Sequence, residues 1–225
     1  MKTQREIAAI AATTLVASAF AAFADGARTR VFGEVSAAFG REVMTREIGE
    51  RVEPSEGVTP VAISLLPALE APGGMWSVYG LRVNLLAGRH RDIAGFDIGL
   101  LGNITSEEFD GVQVAGLWNS IGNSDGAVQI AGVLNRCEVN FYGLQAAGLV
   151  NVADGLCEGL QISFVNRAAS LSGLQVGLYN NIDCGSGLQI GVINSARSLE
   201  GLQIGVINII SDSTIPFFPV INFAF

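Results

Sequence analysis

The chain has 225 residues, 49% of them hydrophobic and 15% charged, with 28 glycines and a formal charge of −8. That length holds one sizeable domain. The acidic balance, with Lys2 as the only lysine, excludes a nucleic-acid partner, whose phosphates need a basic face, and a basic helix lying on a membrane.

Residues 1–24 read as a secretory signal peptide. Lys2 and Arg5 precede an apolar run from Ile7 to Phe20, and Ala22-Phe23-Ala24 supplies the small residues of a cleavage site. The run is shorter than the ~20 residues a membrane span needs. No cysteine lies near it, so a lipid anchor is not indicated. Loss of this leader removes Lys2, Arg5 and Glu6 and takes the formal charge from −8 to −9.

Residues 25–74 form a connection with few strands. The segment 29–39 carries β-formers in partial alternation and is expected to be a strand; the charged stretch 41–56 is expected to be a solvated loop. Pro54, Pro60, Pro67 and Pro72 then confine residues 61–66 to a short or edge strand, because proline lacks the ladder N–H.

Residues 75–225 are a repeat domain closed by an aromatic segment. The phrase Gly187-Leu-Gln-Ile-Gly-Val-Ile-Asn194 returns as Gly201-Leu-Gln-Ile-Gly-Val-Ile-Asn208. Its Gln is a marker: Gln113, Gln129, Gln145 and Gln161 are 16 apart, Gln175, Gln189 and Gln203 are 14 apart, and Asp97 and Arg82 continue the series upstream. These make nine units, and self-similarity of that extent governs the fold. Both spacings are even, so equivalent residues can fall on the same strand face in every unit.

A unit of 14–16 residues fits two architectures. It is either one strand and a turn of an antiparallel meander, or one coil of a β-solenoid with Gln and Asn stacked in parallel ladders. The half of the unit outside Gly-Leu-Gln, for example Ser195-Ala-Arg-Ser-Leu-Glu200, supplies little for the second apolar wall of a coil. The strand half divides into an aliphatic face (Leu188, Ile190, Val192) and a small, polar one (Gln189, Gly191), the pattern of a barrel facing lipid outward. Nine residues tilted by ~40° cover roughly 23 Å, close to the apolar band of an outer membrane. Counting 29–39, 58–66, the nine repeats and the C-terminal segment, the expected fold is an all-β, up-and-down antiparallel β-barrel of about 12 strands, with a β-solenoid as the alternative. Inward Val133, Leu149 and Ile193 and the short connections argue for a narrow or plugged interior.

Chemistry-bearing groups are few. Cys137, Cys157 and Cys184 are all expected to lie in turns. An alternating meander would bring Cys157 and Cys184 to one end as a candidate disulfide, the alternative being free thiols. Arg82 and Asp97 occupy the marker position of neighbouring units and form a candidate inward-facing pair that would satisfy its own charge. Glu107, Glu108 and Asp110 cluster without the ligand order of a calcium loop. No nucleophile elbow, phosphate loop or histidine dyad is present in the sequence, so no catalytic residue, cofactor or metal is expected and the protein is not expected to be an enzyme.

The motif Val78-Tyr-Gly-Leu-Arg-Val-Asn-Leu-Leu86, the Gly-Leu-Gln-x-Gly-x-x-Asn tandem and the ending Pro216-Phe-Phe-Pro-Val-Ile-Asn-Phe-Ala-Phe225 resemble a bacterial family of signal-bearing surface-repeat proteins. Residues 217–225 also resemble the terminal strand of outer-membrane barrels. The resemblance implies export to the outer membrane or cell surface and no defined activity. Its implied partners are outer-membrane lipid and the barrel-insertion machinery, with an unidentified surface ligand. In Gln161-Ile-Ser-Phe-Val-Asn166, Phe164 is read as replacing the usual Gly and marks a local irregularity.

Overall fold

The computed structural model describes residues 57–67 and 69–224; the leader 1–24, the strand expected at 29–39 and the charged stretch 41–56 lie outside them. The first strands are β1 (Val58–Leu66), β2 (Leu69–Ala71), β3 (Ser77–Asn84), β4 (Ala87–His90) and β5 (Ile93–Gly99). Next come β6 (Gly102–Ala115), β7 (Trp118–Ala131), β8 (Leu134–Cys137), β9 (Phe141–Ala147) and β10 (Val150–Ile162). The last are β11 (Val165–Val176), β12 (Tyr179–Ile190), β13 (Ile193–Ala196), β14 (Glu200–Ile210) and β15 (Phe217–Ala224).

These strands pair in parallel, offset by one repeat. Asn103 aligns with Asn119 and Gln113 with Gln129 between β6 and β7; Asn166 aligns with Asn180 and Gln175 with Gln189 between β11 and β12. Each unit is therefore one coil of a β-solenoid, and the coils stack. Among the described residues, antiparallel pairing occurs only where β2 joins β1 and β15 joins β14, at the two ends of the sheet order. The expected antiparallel barrel is corrected accordingly: the repeat that reads equally well as a hairpin strand closes on the coil before it.

The physical reason is the width of the interior. A coil this small needs little apolar filling, so Ala196 and Leu199, buried to 1% and 2% exposure, suffice for the wall that looked too poor. The apolar core is a thin stack that runs through Phe109, Ile121, Phe141, Leu171, Ile182 and Ile210. The rest of the interior is polar, mostly Gln and Asn, with Arg82, His90 and Asp97 buried in the first coils.

Glycine shapes the coil at two places. Gly187, before the marker Gln189, has φ of 132°, and a Cβ there would collide with the carbonyl of Gly173 on the coil below. Gly191 bends the chain between β12 and β13, and a Cβ would meet Gly177 O and the Asn180 amide. That corner interrupts the alternation, so Gln189 and Asn194 both point inward although they are an odd number of positions apart. In the irregular unit, Ser163 holds the glycine's place and donates to Val165 O at 2.6 Å. Phe164 aligns with the exposed corner residue Leu178, which corrects the reading of Phe164 as the glycine replacement.

The C-terminal segment is an edge cap. β15 runs antiparallel along β14, pairing Leu202 with Phe223 and Ile209 with Phe217, with Pro219 lacking the N–H that an incoming strand would use.

Candidate functional site

Two buried amide spines run the length of the solenoid. In the first, Gln129 Nε2 donates to Gln113 Oε1, and each later Gln donates to the one before, at 2.7–3.0 Å, as far as Gln203. In the second, each Asn from Asn103 donates to the next at 2.8–3.1 Å, ending at Asn208. The second amide hydrogen of these Asn side chains goes to a corner carbonyl of the following coil, as Asn194 does to Ile204 O at 2.9 Å. All of these side chains are fully buried. Burial of an amide is tolerable only when its hydrogen bonds are made, and inside each spine an identical neighbour above and below makes them.

The spines point in opposite directions, which explains the first coils. The Gln spine donates toward the N-terminus, so its first member must accept without donating. Asp97 does this, receiving Gln113 Nε2 at 2.8 Å and Asn84 Nδ2 at 3.0 Å. Arg82 then neutralises it with two parallel bonds, Nε to Oδ1 at 2.7 Å and Nη2 to Oδ2 at 2.5 Å, both side chains at 0% exposure. The structure thus brings Arg82 and Asp97 together in the solenoid interior, in stacked coils, and not in a barrel lumen.

The same end holds groups that the sequence reading had no reason to join. His90 Nδ1 lies 3.3 Å from Arg82 Nη1 and 3.5 Å from Glu70 Oε2. Burial, reinforced by the Arg82 charge, lowers His90 to about 4, and burial raises Glu70 above its ordinary value. His90 and Glu70 meet only once the first coil closes, a relation that sequence spacing does not carry.

The candidate disulfide is not formed. All three cysteines are free and lie in strands, Cys137 in β8, Cys157 in β10 and Cys184 in β12, not in the expected turns. Cys157 faces the interior in line with Leu171, whereas Cys184 is exposed in line with Ser170. Two coil spacings of ~4.8 Å separate their levels, beyond the reach of a disulfide. Burial pushes the Cys137 and Cys157 thiols up to about 12, which disfavours the thiolate that a nucleophile needs. In the acidic cluster, Glu107 pairs with Arg91 at 3.1 Å, Glu108 accepts from Asn123, and Asp110 accepts from the Asp125 and Gly126 amides. No group of three metal-ligating side chains occurs among the described residues.

The feature with the chemistry of a binding surface is the outside of the Gln strand. The residue before the marker is Leu, Phe or Val in all nine coils, from Leu81 to Leu202; the residue after it is Val, Ile or Ala, from Val83 to Ile204. These positions stack in register, and the corner beside them adds Leu117, Phe164, Leu178 and Val206. Phe96 is 58% exposed, Ile98 48% and Ile162 43%. The result is one flat, uncharged aliphatic face. The reading of Leu188 and Ile190 as outward holds, but they face out from a solenoid whose Gln and Asn are core. No protein-family model, curated protein or solved structure matches the chain, so its functional reading rests on this geometry.

Proposed function

We propose that this chain is an exported, non-catalytic β-solenoid that serves as a structural or interaction module at the bacterial surface and engages its partner through the aliphatic face. The observation that carries the reading is the absence of any charged side chain from two columns nine coils long. Continuous apolar surface of that extent marks an interaction site on a soluble fold. The leader-like segment 1–24 and the surface-repeat resemblance support export and an outer-membrane or cell-surface setting. A solenoid has no barrel for the insertion machinery to close, so attachment runs through a surface contact.

The test is fractionation of producing bacteria. The wild-type chain is expected to begin after Ala24 by mass spectrometry and to remain with the cell-surface fraction, and the double variant Leu174→Glu/Ile130→Glu is expected to be released into the medium. Equal retention of both proteins would refute the face as the attachment site.

A further inference from the structure

We infer that the aliphatic face is the contact surface for a second copy of this chain, two solenoids lying face to face and pointing the same way about a twofold axis parallel to their length. The inference rests on the reading of that face as an interaction surface and names its occupant.

The area is sufficient. Eight coil-to-coil steps of ~4.8 Å give a length of roughly 38 Å. Two columns and the corner beside them give a width of roughly 15 Å, hence about 600 Å² per copy and about 1,200 Å² in all, the lower bound of stable interfaces. The periodicity is selective as well. Rows of side chains repeating at every coil mesh along their whole length only with a surface of the same repeat and twist, and a second copy has both. Two such sheets pack ~10 Å apart with interdigitated side chains.

Charge chooses between the two ways of pairing. Asp110, Glu158 and Glu200 sit three residues before Gln113, Gln161 and Gln203, and they give one long edge of the face an acidic residue in three of its nine coils, the other six being uncharged. A twofold axis along the solenoid sets this edge against the partner's corner edge, where Leu117, Leu178 and Val206 lie. The antiparallel alternative sets acidic edge against acidic edge, which like-charge repulsion disfavours. The favoured pairing puts each coil opposite its own counterpart, with the column before Gln against the partner's column after Gln. A lipid surface is the weaker occupant: the edge is acidic, residues 57–224 contain no lysine, and attraction to an anionic membrane needs basic flanks.

The experiment uses the mature full-length chain. Sedimentation equilibrium is expected to give a dimer, and Leu174→Glu/Ile130→Glu is expected to weaken dimerisation at least ~100-fold by burying unpaired charge, with the melting temperature showing that the variant is folded. The central coil reports orientation independently. In a Cys184→Ser background, Leu144→Cys and Ala146→Cys chains are mixed and treated with a short bifunctional maleimide, which spans the gap between packed sheets that a direct disulfide cannot. Same-direction pairing gives the mixed Leu144→Cys/Ala146→Cys cross-link in several-fold excess; predominant Leu144→Cys homodimers would overturn the orientation. A monomeric wild-type chain overturns the second copy, and flotation of that monomer with phosphatidylglycerol-containing vesicles would assign the face to lipid. A monomer that stays at the cell surface in a face-dependent way leaves the proposed function standing without this partner, whereas a dimer with face-independent retention does the reverse.

Discussion

At the scale of single residues, stability lies in satisfied burial. Gln145 accepts from Gln161 and donates to Gln129, so Gln145→Leu strands one donor and one acceptor in the interior and is expected to cost about 1–3 kcal/mol. Asp97→Asn removes the counter-charge of a fully buried Arg82 and reverses one amide where the spine requires an acceptor, so about 3–5 kcal/mol is expected. Denaturant midpoints of the two variants measure the order; an Asp97→Asn no worse than Gln145→Leu would refute the spine-start role. His90 sets a pH dependence. Its folded-state value is lowered from 6.5 to about 4, so between those values the unfolded chain binds a proton that the folded chain refuses. Its contribution therefore falls as pH drops through 6.5 toward 4, by at most about 1.4 kcal/mol per pH unit. Glu70, raised by burial, works the other way: its contribution is present at low pH and lost as pH rises through its folded value. Unfolding at pH 7 and pH 5 should show the histidine-linked loss in the wild type, and His90→Asn should flatten it.

At the scale of the element, a coil is a strand, a glycine corner and a second short strand, and its tolerance for side chains is set by the coil beneath. Gly187→Ala combines a φ of 132° with a clash against Gly173 and is expected to cost about 2 kcal/mol or more. Gly126→Ala meets nothing within 4 Å and is expected to be neutral within about 0.5 kcal/mol. Thermal melts of the two variants compare a glycine held by the coil beneath with one whose strand position in β7 leaves open space. The same logic accounts for the marker's neighbours. Leu188 and Leu202 occupy aligned positions, and each covers the next, so the outer face stays half-buried without any layer above it.

At the scale of the molecule, the solenoid is close to one-dimensional: each coil contacts its neighbours, and stability grows by addition. Removing residues 175–188, one whole unit from Gln175 to Leu188, rejoins Leu174 to Gln189 with every inward position preserved. A folded chain with a somewhat lower melting temperature is expected by circular dichroism. Removing 176–188 instead shifts the following coil by one residue, turns its Gln outward and is expected to abolish cooperative unfolding.

The nine-unit period, the all-β character, the coil length and the places of Gly, Gln and Asn were legible in the sequence, because local spacing and turn chemistry express them. Whether successive units turn back as hairpins or wind forward as coils was not, since an even spacing and period-two alternation serve both arrangements. The side taken by Gln and Asn was hidden for the same reason. An isolated amide such as Gln189 belongs near water, and its burial becomes favourable only through Gln175 and Gln203 stacked at 2.8 and 2.7 Å. That relation exists between coils and within none of them, so the tertiary structure alone decided that the polar face is the core and the aliphatic face the surface.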